Sequence, residues 1–264
     1  MTAVVSDLEL AFRMVDAADV ETLRAWSPKG VTSTSKGDGT PVTEADVAAE
    51  QAMLNVLRQI RPDDAFVGEE TGELAGITGR RWIADGVDGT RFFAAGAATW
   101  GTLLALEIDD VIVAGVSSSP VQNRRWWAQR HGGAFTGACD GSSASRISVS
   151  KRTDRDPERI VCLPGFDAVP PLHREQLASL VDGPPMDRAW SHQNRVAEGE
   201  VDVCVWFAGD IWDHAAPSII VEEAGGRFSD HWGGKRLDSR TAIYSNGRRH
   251  DEVLAALRLN DDPT

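Results

Sequence analysis

The 264-residue sequence predicts a protein of the α/β class. Apolar residues recur at helical spacing in two N-terminal segments, and adjacent apolar runs separated by a short acidic turn follow in the middle of the chain. Strand-like and helix-like segments then alternate in the C-terminal part. A chain of this length can bury a substantial core, as one large domain or two small ones.

The N-terminal part is predicted to contain two helices separated by a polar loop. Residues 5–26 have the apolar spacing of an amphipathic helix, and residues 28–40 are loop-like. Thr43 and Asp46 fit a capping box that opens the second helix, which stops before Pro62. The apolar face expected for this helix comprises Val47, Leu54, Leu57 and Ile60.

The middle of the chain is predicted to form β-strands. Apolar segments at 66–68 and 82–85 are followed by runs at 101–108 and 111–117, which an acidic turn joins into an antiparallel pair. Residues 125–130 are expected to add a third strand to this pair.

The polar segment 139–157 is the predicted boundary between two halves, residues 1–140 and 141–264, of one compact catalytic unit. The second half is expected to contain, in order, a strand at 159–163, a helix at 172–182, a strand at 201–206, a helix at 214–224, strands at 226–229 and 241–245, and a helix at 250–258.

Composition limits the classes of partner. A net charge of −13 argues against nonspecific binding of nucleic acid, which requires a basic face. Cys139, Cys162 and Cys204 show neither metal-ligand spacing nor a disulfide framework. No signal peptide and no membrane span are recognised, so a cytoplasmic protein without a membrane partner is expected.

The run from Asp85 to Thr90 carries the strongest chemical signal. It places two aspartates, Asp85 and Asp88, in a glycine-flanked turn that ends in a hydroxyl group. Crowded carboxylates repel each other unless a cation lies between them, and glycines let backbone N–H groups approach a phosphate. The run therefore predicts a hydrated divalent metal beside a phosphate, although an ordinary Asp-Gly turn is the alternative.

Two further acidic segments strengthen this prediction. Glu69 and Glu70 follow an apolar run upstream, and Asp213 lies at the expected start of a helix that closes on Gly225 and Gly226. Acidic side chains at three separate places, each near apolar residues, fit a hard metal ion held by oxygen ligands that folding brings together.

Four ordered motifs make the chain resemble a known family. They are Val42-Thr43-Glu44-Ala45-Asp46, Gly68-Glu69-Glu70, the Asp85–Thr90 run, and Trp212-Asp213-His214-Ala215-Ala216 followed by Glu223-Ala224-Gly225-Gly226. Over roughly residues 36–250 the chain resembles the inositol monophosphatase superfamily of metal-dependent, lithium-sensitive phosphatases. The resemblance implies an α+β sugar-phosphatase fold, layered as an α/β/α/β/α sandwich with the site between its halves, and a homodimer.

The resemblance also implies a Mg²⁺-dependent phosphomonoesterase that hydrolyses a small soluble phosphate monoester with an activated water. Two or three Mg²⁺ ions per site are expected, and the implied metal ligands are Glu69, Asp85, the backbone oxygen of Val87, Asp88 and Asp213. Glu69 and Thr90 would orient the water, with Asp46 supporting the Thr90 hydroxyl and touching the weaker metal. Asp88 and the backbone N–H groups of Gly89 and Thr90 would bind the phosphate.

Several of these residues have simpler interpretations. Asp46 and Asp213 could serve only to cap their helices. Glu70 could be a solvated neighbour of Glu69 and is left out of the primary ligands. Lys36 either corresponds to a family lysine near the metal loop or is a solvated loop lysine. His214 is expected to pack or lie at the surface rather than bind zinc.

The sequence departs from the family pattern near the site. Gly86 stands where the family has proline, which predicts a looser loop and weaker metal binding. Phe92 stands where the family has asparagine, so a side-chain amide near the loop is missing. Trp206 stands seven residues before Asp213, where related phosphatases have a glutamate that meets the leaving group. Trp206 could stack on a flat ring or be the last core residue of a strand.

The predicted substrate contacts are Trp206, Asp210, Arg91 and Arg195. The segments 100–106 and 124–128 look most like the bacterial histidinol-phosphatase branch. The replacement of glutamate by Trp206 favours a nucleoside monophosphate or specialised-metabolite phosphate as an alternative substrate.

Three other hypotheses remain open. Gly86 and Phe92 could mark a non-catalytic metal- or phosphate-binding relative. A bisphosphate substrate would need more cations, for which Arg91, Arg188 and Arg195 are candidates. Residues 100–130 could form a dimer surface. Trp126 and Trp127 would suit such a surface, unless they lie on opposite faces of one strand.

Overall fold

The structure is a computed structural model that describes residues 5–37, 39–156, 159–163, 169–180 and 192–258. The helices of this part of the chain are, in order, α1 (Asp7–Ala25), α2 (Glu44–Ile60), α3 (Thr90–Ala94), α4 (Pro171–Ala178), α5 (His192–Ala197), α6 (Ile211–Glu223) and α7 (His250–Arg258).

The strands are β1 (Thr34–Ser35), β2 (Pro41–Val42), β3 (Ala65–Gly68), β4 (Gly72–Leu74), β5 (Arg80–Asp88), β6 (Gly101–Ile108), β7 (Val111–Ser119), β8 (Arg124–Gln129), β9 (Gly133–Gly137), β10 (Ser145–Ile147), β11 (Ile160–Leu163), β12 (Val203–Trp206), β13 (Arg227–Ser229) and β14 (Ala242–Ser245).

The larger sheet has eight strands in the order β10-β9-β8-β7-β6-β5-β3-β4. All its pairs are antiparallel except β3 with β5. Successive residues of a strand face opposite sides of the sheet, and the core follows this rule. Trp82 and Leu104 pack against α1 and α2, whereas Ile83 and Leu103 pack against α6.

The smaller sheet has the order β11-β12-β14-β13. Cys204 and Tyr244 face the cluster that contains α5 and α6, whereas Val203, Val205 and Ile243 face α4 and α7. The layers are therefore α1 with α2, the larger sheet, α6 with α5, the smaller sheet, and α4 with α7. This arrangement confirms the α/β class and the layered α/β/α/β/α sandwich.

The two N-terminal helices are confirmed, and so is the capping box. Thr43 is the N-cap of α2, and Asp46 accepts a hydrogen bond from the Thr43 backbone N–H. The predicted apolar face is wrong at Val47, which is 45% exposed, because it lies at the margin of the buried face. Two acids, Asp46 and Glu50, lie near the centre of that face and are buried.

The predicted strands are present, but their extents differ. β5 continues through both aspartates to Asp88, where a turn was expected, and its register with β6 shifts between Asp85 and Asp88. The short strands β4, β9 and β10 were not predicted. β10 pairs with β9, so the larger sheet extends past residue 140. The division into halves at that residue stays a prediction.

Helix α6 begins at Ile211, three residues before its predicted start, because Asp210 forms the N-cap. The described part of α4 ends at Ala178, earlier than expected. None of the helices that the structure describes combines the length and apolar character needed to span a membrane.

Trp126 and Trp127 are both buried, at 3% and 9% exposure. Trp126 packs in the cluster with α6, and Trp127 packs in the cluster with α1. Of the two alternatives that the sequence left open for this pair, the structure supports the second, because the two rings lie on opposite faces of β8 and are buried within one chain. The homodimer itself stays a prediction.

Candidate metal and phosphate site

Three aspartates lie together where the larger sheet meets helix α6. One carboxylate oxygen each of Asp85, Asp88 and Asp213 lies within 4.8 Å of the other two. Asp85 and Asp88 are buried at the end of β5, and Asp213 is in the first turn of α6. Packing of α6 onto the sheet thus joins two motifs that are distant in sequence.

Local hydrogen bonds orient two of these carboxylates. Asp85 Oδ1 accepts from the Val87 backbone N–H at 2.9 Å. Asp213 Oδ2 accepts from the Asp210 backbone N–H at 2.6 Å, which makes Asp213 the third helical residue of a capping box. Asp213 therefore caps its helix and also belongs to the cluster, so the two interpretations from the sequence are compatible.

The electrostatics of the cluster favour a bound cation. Burial raises the pKa of Asp85 well above its ordinary value, and the negative charges of Glu69, Asp88 and Asp213 raise it further. Burial also raises the pKa of Asp213 well above its ordinary value, and the negative charge of Asp88 is the next largest cause. A compact, buried, all-oxygen donor set fits a hard divalent cation, which would remove this repulsion.

Asp46 connects helix α2 to Thr90. Thr90 Oγ1 lies 2.9 Å from Asp46 Oδ1 and 3.0 Å from the Val87 carbonyl oxygen, so its single hydrogen has two acceptors. The other Asp46 oxygen accepts from the Thr43 backbone N–H at 2.9 Å and from the Thr43 hydroxyl. Burial raises the pKa of Asp46 although these hydrogen bonds oppose the rise. Asp46 therefore caps α2 and contacts Thr90 at the same time.

Gly89 forms the turn between β5 and the short helix α3. Its φ of 86° is in the left-handed region that favours glycine, and it is the N-cap of the helix. The carbonyl oxygen of Gly89 accepts from the Phe92 backbone N–H at 2.8 Å. The first N–H groups of a helix have no partner within it, so this turn can present donors to an anion.

Gly86 is tightly packed rather than loose. A Cβ atom at this position would lie 2.5 Å from the Asp46 carbonyl oxygen and 3.1 Å from Ala49 Cβ. A proline could fit only if α2 moved. The weaker metal binding predicted from Gly86 stays a prediction, but the packing shows why this chain has glycine there.

Lys36 joins the acidic segment after β3 to the β1–β2 hairpin. Its Nζ lies 2.6 Å from Glu69 Oε1 and also contacts Glu70. Burial opposes the charged form of Lys36, but the hydrogen bonds to both glutamates raise its pKa on balance. Burial raises the pKa of Glu69, and the contact with Lys36 opposes this rise. The sequence left open that Lys36 and Glu70 are solvated side chains; in the structure they are partly buried and contact each other.

Glu50 was missed by the sequence analysis. This fully buried α2 residue accepts hydrogen bonds from the backbone N–H groups of Glu70 and Thr71 and from the Thr71 hydroxyl. Burial raises its pKa, and the hydrogen bonds from Thr71 oppose that rise. An acid four residues after Asp46, and so on the same helix face, was the signal that could have identified it.

The predicted substrate contacts have different neighbours in the structure. Asp210 adjoins it through the hydrogen bond to Asp213. Arg91 follows Thr90, and its guanidinium lies 4.5 Å from the centre of the Phe92 ring. Arg195 forms an ion pair with Glu200 at 2.8 Å. Arg188 lies outside the described residues.

Trp206 is the last residue of β12 and is half-buried. Its ring meets His214 edge-on at a centroid distance of 5.5 Å and packs against the cluster around α6. His214 is buried, with Nδ1 2.9 Å from the Tyr244 hydroxyl, and burial lowers its pKa to about 4. The expectation that His214 is a packing residue agrees with these contacts.

Known proteins resemble this chain over nearly its whole length. The model of the inositol monophosphatase family matches residues 6–261. A histidinol-phosphatase of Mycobacterium tuberculosis is 38% identical over 254 residues, which cover 95% of this chain and 97% of that protein. A Streptomyces griseus protein named glucose-1-phosphate thymidylyltransferase is 39% identical, with 96% of each chain covered.

A solved structure of an inositol monophosphatase from Zymomonas mobilis has a similar fold. It superposes with a TM-score of 0.80 at 25% identity, covering 98% of this chain and all of that chain. The similarity therefore extends over both sheets and is not confined to the acidic motifs.

Proposed function

The chain belongs to the inositol monophosphatase family of metal-dependent phosphatases, and we propose that it hydrolyses a small soluble phosphate monoester with Mg²⁺. It is a phosphomonoesterase by family and by the names of its phosphatase relatives. The identity of the metal as Mg²⁺, the count of two or three ions, and the residue roles below are parts of the proposal.

One observation carries the proposal. Oxygens of Asp85, Asp88 and Asp213 lie within 4.8 Å of one another although burial and mutual repulsion raise the pKa values of Asp85 and Asp213. Such an arrangement is costly without a cation. We assign the metal ligands to these three carboxylates, Glu69 and the Val87 backbone oxygen. Bound Mg²⁺ would supply Lewis-acid activation of water and neutralise phosphate oxygens.

The remaining residues of the site act on the water and the phosphate. Because Thr90 donates its hydroxyl hydrogen to Asp46, its oxygen is free to accept a hydrogen bond from the attacking water. Glu69 is assigned the second contact with that water, as an acceptor of its proton. Asp46 is also assigned a contact with the more weakly held metal.

The turn at Gly89 is assigned to the phosphate, which would accept hydrogen bonds from the Gly89 and Thr90 backbone N–H groups beside Asp88. These donors lie at the turn where β5 meets α3, and the left-handed backbone of Gly89 leaves room for an anion to approach them. In-line attack by water needs no covalent phosphoenzyme.

The leaving group is proposed from two observations. The relatives named histidinol-phosphatase point to an imidazole-bearing monoester. Trp206, in place of the usual glutamate, favours a flat or less polar group, and a nucleoside monophosphate is therefore the second candidate. Asp210, Arg91 and Arg195 are proposed as further substrate contacts; Arg195 pairs with Glu200 through Nε, and its two terminal nitrogens carry the donors proposed to meet the substrate.

We further propose a homodimer, which rests on the family resemblance alone, and a cytoplasmic location, which rests on cysteines that show no disulfide framework. Sedimentation at several protein concentrations would test the dimer: a single monomeric species at all of them would contradict it.

Phosphate release tests the proposed reaction. The panel comprises histidinol phosphate, inositol 1-phosphate, nucleoside monophosphates and sugar phosphates, each with Mg²⁺ and with EDTA. The expected result is release that requires Mg²⁺ and is lost in Asp88→Asn. A folded protein that releases phosphate from none of these at high Mg²⁺, or releases it equally in EDTA, would contradict the proposal. A preference for inositol 1-phosphate would contradict the flat leaving group alone.

A further inference from the structure

Glu50 lies in helix α2 one turn after Asp46 and is fully buried. The same helix face thus carries two acids in succession. Asp46 contacts Thr90, and Glu50 contacts the segment after β3. A rigid helix therefore connects the two parts of the site that are assigned to the attacking water.

The Glu50 carboxylate holds the segment from Glu69 to Thr71 by its backbone. Oε1 lies 3.1 Å from the Glu70 backbone N, and Oε2 lies 2.8 Å from the Thr71 backbone N. The Thr71 hydroxyl donates to the same Oε2 at 2.7 Å. These contacts fix the peptide units on the C-terminal side of Glu69.

Gly68, the residue before Glu69, leaves room for the Glu50 carboxylate to lie close to the backbone. A Cβ on Gly68 would lie 2.2 Å from Glu50 Oε2, so a larger residue would displace the glutamate. The Glu69 backbone N–H donates to the Ala84 carbonyl oxygen at 3.3 Å, which ties the segment to β5. The backbone on both sides of Glu69 is thereby fixed between α2 and β5.

Glu50 is a costly residue for a purely structural task. Its hydrogen bonds in the described chain come from backbone N–H groups and a hydroxyl, which are neutral donors. A glutamine would fill the same volume without the cost of burying a charge, although it offers one acceptor oxygen in place of two. A negative charge at this depth adds to the field that draws a cation to the neighbouring carboxylates.

We propose that Glu50 is a positioning residue for metal binding: it holds the Glu69–Thr71 segment in place and adds a buried negative charge behind it. The inference rests on the proposed function in so far as the carboxylate cluster binds a divalent cation. Glu50 touches neither substrate nor water in this assignment, so its loss should weaken the binding of Mg²⁺ and leave the affinity for substrate nearly unchanged.

Glu50→Gln separates this role from packing, because it keeps the size and one acceptor oxygen of the side chain. Titration calorimetry of the metal-free protein with Mg²⁺ measures binding without any substrate. We expect the Kd for Mg²⁺, and the Mg²⁺ concentration for half-maximal activity, to rise about tenfold or more, as is typical when a residue that supports a metal ligand is lost. KM at saturating Mg²⁺ should change less than about twofold.

Glu107→Gln is the matched control. Glu107 is also a buried glutamate, 8% exposed, but it pairs with Arg81 near the opposite end of β5 from the carboxylates. Its variant should bind Mg²⁺ like the wild type even if it is less stable. Thr71→Val serves if Glu50→Gln does not fold. It removes one hydrogen bond to Glu50 and should raise the Kd severalfold, whereas Thr71→Ser should not.

The outcomes separate this inference from the proposed function. A Glu50→Gln protein with a lower Tm but a wild-type Kd for Mg²⁺ would overturn the positioning role while leaving the phosphatase intact. A second outcome is a wild type that binds Mg²⁺ but hydrolyses nothing, together with a Glu50→Gln variant that binds Mg²⁺ more weakly. This outcome would support the positioning role and contradict the proposed reaction.

Discussion

Thr90 Oγ1 and Asp46 Oδ1 form a 2.9 Å hydrogen bond across 44 positions of sequence. The bond joins the start of α3 to the first turn of α2. Asp46 is buried and held by Thr43, so it cannot easily turn away from Thr90. The hydroxyl group is therefore fixed before any substrate arrives, which is the condition for orienting a water molecule.

Thr90→Val should lower kcat about 100-fold or more, because it removes the hydroxyl that orients the attacking water and preserves the shape of the side chain. KM and the Mg²⁺ requirement should change little, since Thr90 is not among the assigned metal ligands. Steady-state kinetics at saturating Mg²⁺ measures both effects. Thr90→Ser retains the hydroxyl and should keep most of the activity; equal losses in both variants would argue against this role.

Asp88→Asn should stabilise the metal-free protein while abolishing activity. The raised pKa values of Asp85 and Asp213 mean that the folded state binds these protons more tightly than the unfolded state. Metal-free stability is therefore lost as pH rises through those values. Removing one repelling charge should restore about 1 kcal/mol at neutral pH.

Thermal unfolding in EDTA and in Mg²⁺ measures this effect. The wild type should gain Tm with Mg²⁺, and Asp88→Asn should begin from a higher Tm in EDTA and gain less. Asp110→Asn, in an exposed turn, is the control, and asparagine tolerates its φ of 61°. A lower Tm in EDTA for Asp88→Asn than for the wild type would contradict the expectation.

Gly86→Ala should cost about 1–3 kcal/mol of stability, because its Cβ would lie 2.5 Å from the Asp46 carbonyl oxygen and must push α2 away from β5. Urea unfolding measures the change. Gly37→Ala is the matched control, since a Cβ there meets nothing within 4 Å. Equal stability of the two variants would show that α2 adjusts without cost and that the close packing at Gly86 is unimportant.

His250 should make stability fall below neutral pH. Its Nε2 donates to Ser229 Oγ, which itself donates to the Asp230 carbonyl oxygen, and Ser245 Oγ donates to Nδ1 while accepting from Gly247. Both ring nitrogens are thus engaged in the neutral form. Burial lowers the pKa of His250 to about 4 from an ordinary value near 6.5.

The sign of this effect follows from proton binding. Between pH 6.5 and 4 the unfolded chain binds a proton at this histidine that the folded chain excludes, so the contribution of His250 to stability should fall by up to about 3 kcal/mol through this window, whereas the contributions of the buried carboxylates rise. Urea unfolding from pH 7 to pH 4.5 tests it. His250→Gln should be less stable at pH 7 but should lose less stability on acidification; parallel losses would assign the pH dependence to other groups.

Local patterns predicted well those features that depend only on neighbours in sequence. The apolar spacing of α1 and the capping box of Thr43 and Asp46 are local, and both were found. Short elements escaped, because the three residues of β4 or β10 and the five of α3 carry too little periodicity to stand out. β5 was expected to end at Asp85 because the glycine after it resembles a turn, yet pairing with β6 extends the strand to Asp88.

The site was predicted in its parts rather than in its connections. Lys36 was left between two interpretations, since its partners Glu69 and Glu70 are 33 or more positions away. Glu50 was overlooked because its contacts with Glu70 and Thr71 arise only when α2 packs beside β3. Gly86 was read as a loosened turn, but its close contact with Asp46 is a property of packing.

Residue type, periodicity and motif order are properties of the chain alone, and they sufficed to predict the α/β class, the acidic motifs and the family resemblance. Which acids meet depends on how the helices and sheets pack. Asp213 joins Asp85 and Asp88 because α6 packs on the larger sheet with its first turn at the end of β5. That position depends on burial of apolar faces on two sheets at once, and no single segment encodes it.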